Sequence, residues 1–155
     1  MHYRYLLIPI FWGCLCAGTS CKPKPSEQSE QQLNGFRALN LAMHTAQLDA
    51  IVSGDPSTGY PADAKHTSVA EVRRMLNDKG YLKLEDQKLI DFSNIRIGNV
   101  SGDDPSDVVL LITREPIDGQ VVYFRKGGDG GRFETGSDKP ESELKEPPRS
   151  PAYLD

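Results

Sequence analysis

The sequence predicts an α+β domain in which a long N-terminal helix and a short second helix pack on a three- to four-stranded antiparallel sheet. Apolar residues recur at helical spacing before residue 80, and branched apolar runs separated by turn residues follow it. Short connections between consecutive strands favour an antiparallel meander. With 155 residues, the chain has room for one domain with polar ends.

The first helix is predicted over residues 35–52. Its apolar face comprises Phe36, Leu39, Met43, Ala46 and Ala50, and Leu41, Leu48 and Ile51 are expected to widen that face. Gly54 and Pro56 are expected to end the helix, because glycine adopts the left-handed cap conformation and proline cannot continue the hydrogen-bond ladder.

The second helix, over residues 69–79, begins with the capping-box sequence Ser68-Val69-Ala70-Glu71 and ends at Gly80. Strands are then predicted around Ile95 and Ile97, over residues 108–113 and over residues 121–124. The glycine-rich stretch at residues 127–131 is interpreted as a flexible strand exit. A phosphate-binding loop would need Lys-Ser or Lys-Thr and a helix after the glycines, and neither follows here.

Polar segments flank the predicted domain, which spans residues 35–134. Residues 22–34 contain proline, serine, glutamine and charge with one apolar residue, so residues 21–34 are interpreted as an N-terminal cysteine followed by a flexible tether. Residues 135–155 are rich in proline, serine and charge and are interpreted as a disordered tail.

Residues 1–20 have the organisation of an export signal. A short positive start carrying Arg4 precedes an uncharged apolar run over residues 5–17, which is too short to cross a bilayer as a helix. The run ends in Gly18-Thr19-Ser20-Cys21, which resembles the lipobox of bacterial lipoproteins, although Gly18 stands where that family usually has leucine. The resemblance implies acylation of Cys21, with palmitate among the attached lipids, and a membrane-anchored protein of the bacterial cell envelope. Ordinary signal-peptidase cleavage, giving a periplasmic or secreted protein, is the alternative.

Composition excludes several classes of function. All three cysteines lie within the first 21 residues, so the domain has neither a disulfide framework nor a paired-cysteine zinc site. The net charge of −4 gives no electrostatic reason to expect nucleic-acid binding. Protein partners and the membrane are the partners we expect.

Three short motifs mark the loop after the first helix, the end of the second helix and the end of the predicted sheet: Gly59-Tyr60-Pro61, Gly80-Tyr81-Leu82 and the stretch YFRKGGDGG at residues 123–131. With the order of elements, they resemble the globular domains of type II secretion pseudopilins and other type IV pilin-like proteins. The resemblance implies a pilin-like fold and a role in a secretion or surface assembly. The chain departs from the family at its N-terminus, where a proline-rich segment replaces the long apolar helix that follows a prepilin peptidase site.

No catalytic pattern emerges from the sequence. His44 and His66 are the histidines beyond residue 20, and no spacing ties either to a nucleophile or an acid. We therefore expect a non-enzymatic structural or interaction protein without a cofactor. The alternative is an exported module that binds calcium or a small ligand, with Asp103, Asp104, Asp107 and Asp129 as candidate calcium ligands.

The lipid anchor makes the first testable prediction. We expect Cys21→Ser to move the protein from the membrane to the soluble periplasmic fraction, or to block its processing, because the acylated thiol is lost. Cell fractionation and the mass of the processed protein measure the outcome. Unchanged membrane association with normal processing would contradict lipidation.

Overall fold

A computed structural model describes residues 26–134 and 152–155, and these residues form an α+β fold, as predicted. The described helices are α1 (Glu27–Ser53), α2 (Val69–Asp78) and α3 (Leu84–Gln87). The strands are β1 (Ile95–Ile97), β2 (Val109–Thr113), β3 (Gln120–Arg125) and β4 (Gly130–Glu134). Short 3₁₀ turns lie at Pro56–Thr58 and Phe92–Asn94.

The sheet is an antiparallel meander in the order β1-β2-β3-β4. Ile97 of β1 lies opposite Leu111 of β2, and Leu111 lies opposite Phe124 of β3. The register shifts between Val109 and Leu111, which marks a bulge in β2. The expected meander of three to four strands is therefore confirmed with four.

Helix α1 begins earlier than predicted. Ser26 caps it by accepting a hydrogen bond from the Ser29 amide at 3.2 Å, and the Ser29 hydroxyl donates to Asp118 at 2.6 Å. Leu33, one turn further on, is buried. The prediction of a tether over residues 21–34 is thus wrong for residues 26–34, and residues 1–25, including Cys21, lie outside the described residues.

One face of α1 provides a large part of the core. Phe36 and Leu39 are almost fully buried, and the Phe36 ring lies 5.3 Å from the Phe124 ring of β3 between centroids. The expectation that Leu41, Leu48 and Ile51 widen this face is wrong, since their exposed fractions are 69%, 60% and 68%. A helix that packs on one side of a sheet buries one stripe, and these three residues lie outside it.

Helix α2 has the predicted cap in modified form. The Glu71 amide donates to the Ser68 hydroxyl at 3.3 Å, as a capping box requires. The Glu71 carboxylate accepts from the amide of Thr67 at 2.7 Å, one residue before the predicted partner. Gly80, with φ of +75°, follows the end of the helix.

The glycine-rich stretch is a hairpin with part of a strand, and so the interpretation as a flexible exit is wrong for its second half. Gly130 pairs with Phe124 and Gly131 with Tyr123 across β3 and β4. A Cβ atom at Gly130 would lie 2.7 Å from the Phe124 ring, and one at Gly131 would collide with the Tyr123 side chain. Glycine is required here because the two aromatic rings occupy the space above it.

The end of the sequence packs on the domain. Leu154 is buried and belongs to the main hydrophobic cluster, and Tyr153 forms an antiparallel bridge with Gly98. The prediction of a disordered tail over residues 135–155 is therefore wrong for residues 152–155. Residues 135–151 lie outside the described residues.

The two faces of α1 give a matched test of the core. Leu39→Ala is expected to lower the free energy of unfolding by about 2–5 kcal/mol, because it leaves a cavity in a closely packed core. Leu41→Ala, two residues away on the exposed side, is expected to change it by about 0.5 kcal/mol or less. Urea unfolding measures both. Equal losses would show that the helix faces are misassigned.

Candidate functional site

The polar centre of the domain lies where α1, the loop after it, the β1–β2 loop and the β3–β4 turn meet. Tyr60 is buried, its hydroxyl lies 3.0 Å from Nδ1 of His44, and the same hydroxyl lies 3.4 Å from the carbonyl oxygen of Lys126. Both contacts are satisfied when His44 Nδ1 donates to the phenol oxygen and the phenol donates to the carbonyl. The pair therefore joins α1 to the end of β3.

Burial keeps both members of this pair neutral near pH 7. Desolvation lowers the pKa of His44, because the charged imidazolium loses water contacts. Desolvation raises the pKa of Tyr60, and the nearby charge of Asp63 raises it further. Nε2 of His44 is buried without a hydrogen-bond partner among the described residues.

Asp63 connects the loop between α1 and α2, which contains Tyr60 and Pro61, to the β1–β2 loop. One carboxylate oxygen accepts from the Ser101 hydroxyl at 2.7 Å, and the other accepts from the Gly102 amide at 2.7 Å. The Ser101 amide in turn donates to the Asp104 carboxylate at 2.7 Å. Since ionised acceptors make strong hydrogen bonds, these contacts hold the loop in one conformation.

Gln47 and Lys126 complete the network from opposite sides. The side-chain oxygen of Gln47 accepts from the Tyr60 amide at 2.7 Å. The Lys126 ammonium donates to the carbonyl oxygens of Gly102 and Asp104 and lies 6.0 Å from the centroid of the Tyr60 ring. The lysine therefore supplies positive charge to two carbonyl oxygens of the β1–β2 loop.

The four candidate calcium ligands do not form a common site. Asp103 and Asp107 are exposed, whereas Asp104 accepts from the Ser101 amide. Asp129 forms an ion pair with Arg125 at 2.9 Å. Over residues 26–134 and 152–155, no group of three or more His, Cys, Asp or Glu side chains is placed to hold a metal ion.

Among the described residues, the hydrogen bonds of this network connect separate elements of the fold. Ser101 donates to Asp63, and His44 contacts the Tyr60 phenol. The sequence singled out His44 without a partner for it, and Gln47, Asp63 and Lys126 were missed as members of the network. Their partners lie between 13 and 66 residues away along the chain, so spacing alone gave no signal.

Comparisons with protein-family models, curated proteins and solved structures returned no match to this chain. Among the helices of the described residues, none is long and apolar enough to cross a membrane.

The histidines predict an acid-sensitive fold. Burial lowers the pKa of His44 and of His66, and the Glu71 charge partly offsets the effect at His66. Because each folded-state pKa lies below the unfolded value of 6.5, the unfolded chain takes up protons first and the free energy of unfolding falls as pH drops below about 6.5. We expect His44→Gln to reduce this loss between pH 7 and pH 5.

Urea unfolding at each pH measures the effect, with His66→Gln as the second single variant. Asp55 and Glu71 also have lowered pKa values, but their ordinary values of 3.8 and 4.5 place their contribution at lower pH. An unchanged pH dependence in both histidine variants would show that neither imidazole is desolvated as described.

Proposed function

We propose that this protein is a non-enzymatic structural or interaction protein of the bacterial cell envelope. In this proposal it is anchored through a lipid on Cys21, and its pseudopilin-like domain contacts protein partners of a secretion or surface assembly. The lipobox-like sequence and the order of elements support the class of protein. The surface of α1 is the single observation that carries the interaction role.

That surface is an apolar seam along the solvent side of α1. We define the α1 seam as Ala38, Leu41, Thr45, Leu48 and Val52, which follow the a and d positions of a heptad repeat. Leu41, Leu48 and Val52 are exposed by 69%, 60% and 78%. Large apolar side chains that lie close together on a protein surface are typical of interaction sites.

The side chains of the α1 seam and their spacing suit packing against another helix. The Thr45 hydroxyl donates back to the Leu41 carbonyl at 2.9 Å, which satisfies its polar atom and leaves its methyl group on the surface. The heptad spacing keeps the apolar positions facing a neighbouring helix over two repeats. We therefore propose a helix of a protein partner as the occupant.

The position of α1 suits an anchored protein. The helix begins at Glu27, six residues after Cys21, so little chain separates the proposed lipid from the first turn. At about 1.5 Å per residue, Leu41 lies about 20 Å along the helix and the seam from Leu41 to Val52 extends about 16 Å further. The seam therefore lies within about 40 Å of the start of the helix, measured along its axis.

The double substitution Leu41→Glu/Leu48→Glu tests the seam. Two charges in an apolar helix contact are expected to weaken partner binding by about 2 kcal/mol or more, roughly 30-fold, while leaving the exposed helix folded. The size of the complex after mild detergent extraction from native envelopes is the measurement.

Leu84→Glu is the matched control, because Leu84 is 71% exposed on α3 and lies outside the seam. We expect this variant to retain the complex. A monomeric wild-type protein in native envelopes, or a complex indifferent to both seam charges, would contradict the proposal.

A further inference from the structure

Residues 152–155 lie in extended form along the free edge of β1, remote from the α1 seam in sequence. The Asn99 amide donates to the Ala152 carbonyl at 2.7 Å, and the Leu154 amide donates to the Ile97 carbonyl at 2.9 Å. The segment thus adds an antiparallel partner to the edge strand of the sheet. An unpaired strand edge offers donors and acceptors to any extended chain, and this segment satisfies them.

Side-chain contacts and the first turn of α2 fix the direction in which residues 152–155 run along β1. Leu154 is 6% exposed within the main hydrophobic cluster, and Arg96 lies 5.8 Å from the centroid of the Tyr153 ring. The Asp155 carbonyl accepts from the Val69 amide of α2 at 3.1 Å. The surface formed by the β1 edge and the start of α2 therefore holds an extended segment whose leucine is buried and whose last carbonyl reaches the first turn of α2.

The length of chain before this segment allows it to reach another molecule. Seventeen residues, 135–151, separate β4 from Ala152. A chain of that length spans at most about 60 Å, whereas a domain of about 100 residues has a radius of gyration of about 13 Å. The same four residues can therefore reach their surface on a neighbouring copy.

We propose that the β1 edge and the start of α2 form a docking site for residues 152–155 of a second copy of this chain. Occupation by the chain's own segment and by that of a neighbour uses identical contacts, so the balance depends on protein concentration. Such an exchange would link two copies of the chain. It is independent of the α1 seam and stands or falls separately.

Disulfide trapping between copies tests the exchange. The background is the chain from residue 21 onward carrying Cys21→Ser, which contains no other cysteine. One chain carries Asn99→Cys and another carries Ala152→Cys, two exposed positions on adjacent strands within the Cα separation that a disulfide accepts. We expect mixed disulfide dimers whose yield rises with concentration.

Two controls separate docking from collision. Adding Leu154→Asp to the Ala152→Cys chain is expected to reduce the mixed dimer at least tenfold, because the charged segment no longer fits the apolar core. A Lys88→Cys chain, exposed on another part of the surface, should give only the background yield with Ala152→Cys.

The doubly substituted chain, Asn99→Cys/Ala152→Cys, reports docking within one molecule. A mixed yield no higher than that of the Lys88→Cys pair, with complete closure of the double variant inside single chains, would overturn the exchange. A mixed dimer that survives Leu154→Asp would also overturn it.

Discussion

The close packing of α1 against the segment before β1 fixes the orientation of the whole domain. A Cβ atom at Gly35 would collide with the carbonyl oxygen of Leu89, so only glycine allows the helix to approach that backbone. One turn further on, Leu39 is completely buried. Because these contacts define which side of α1 faces the core, they also define which side faces solvent. The α1 seam owes its position to them.

The polar network stabilises the loops around that helix. His44 and Gln47 project from α1 to Tyr60, and Lys126 reaches the β1–β2 loop from the β3–β4 turn. These bonds connect segments that are distant along the chain, and the Lys126 ammonium donates to carbonyl oxygens of the β1–β2 loop. Desolvated polar groups are costly unless they are paired, so the network favours a single loop arrangement. The network therefore stabilises the arrangement of these loops around α1.

Periodicity predicted the elements whose packing is local in sequence. The core face of α1, the capped start of α2 and the order of the strands all follow from apolar spacing and turn residues. The first turns of α1 were missed because their buried positions include Ser29, whose partner Asp118 lies 89 residues away. The docked end was missed because four residues with one leucine show no periodicity, and only the β1 edge explains their order.

The candidate site was harder to predict for a related reason. Helical spacing grouped Leu41 and Leu48 with the core residues, but both side chains are exposed. The spacing of apolar residues does not indicate which side of a helix the sheet covers. The candidate calcium ligands were taken from two acidic turns, but Asp104 and Asp129 bind different partners within the protein. Long-range contacts decide both outcomes, and a single sequence does not reveal them.

We propose that α1 serves the fold with one face and binds a protein partner with the other. Thiol labelling in native envelopes tests this most directly, using Leu48→Cys and, as reference, Leu84→Cys, each compared with the chain that carries only its native cysteines. We expect maleimide to label both positions in the purified domain, whereas in envelopes position 48 is protected and position 84 still reacts. Equal labelling of the two positions in intact envelopes would contradict a protein partner on the α1 seam.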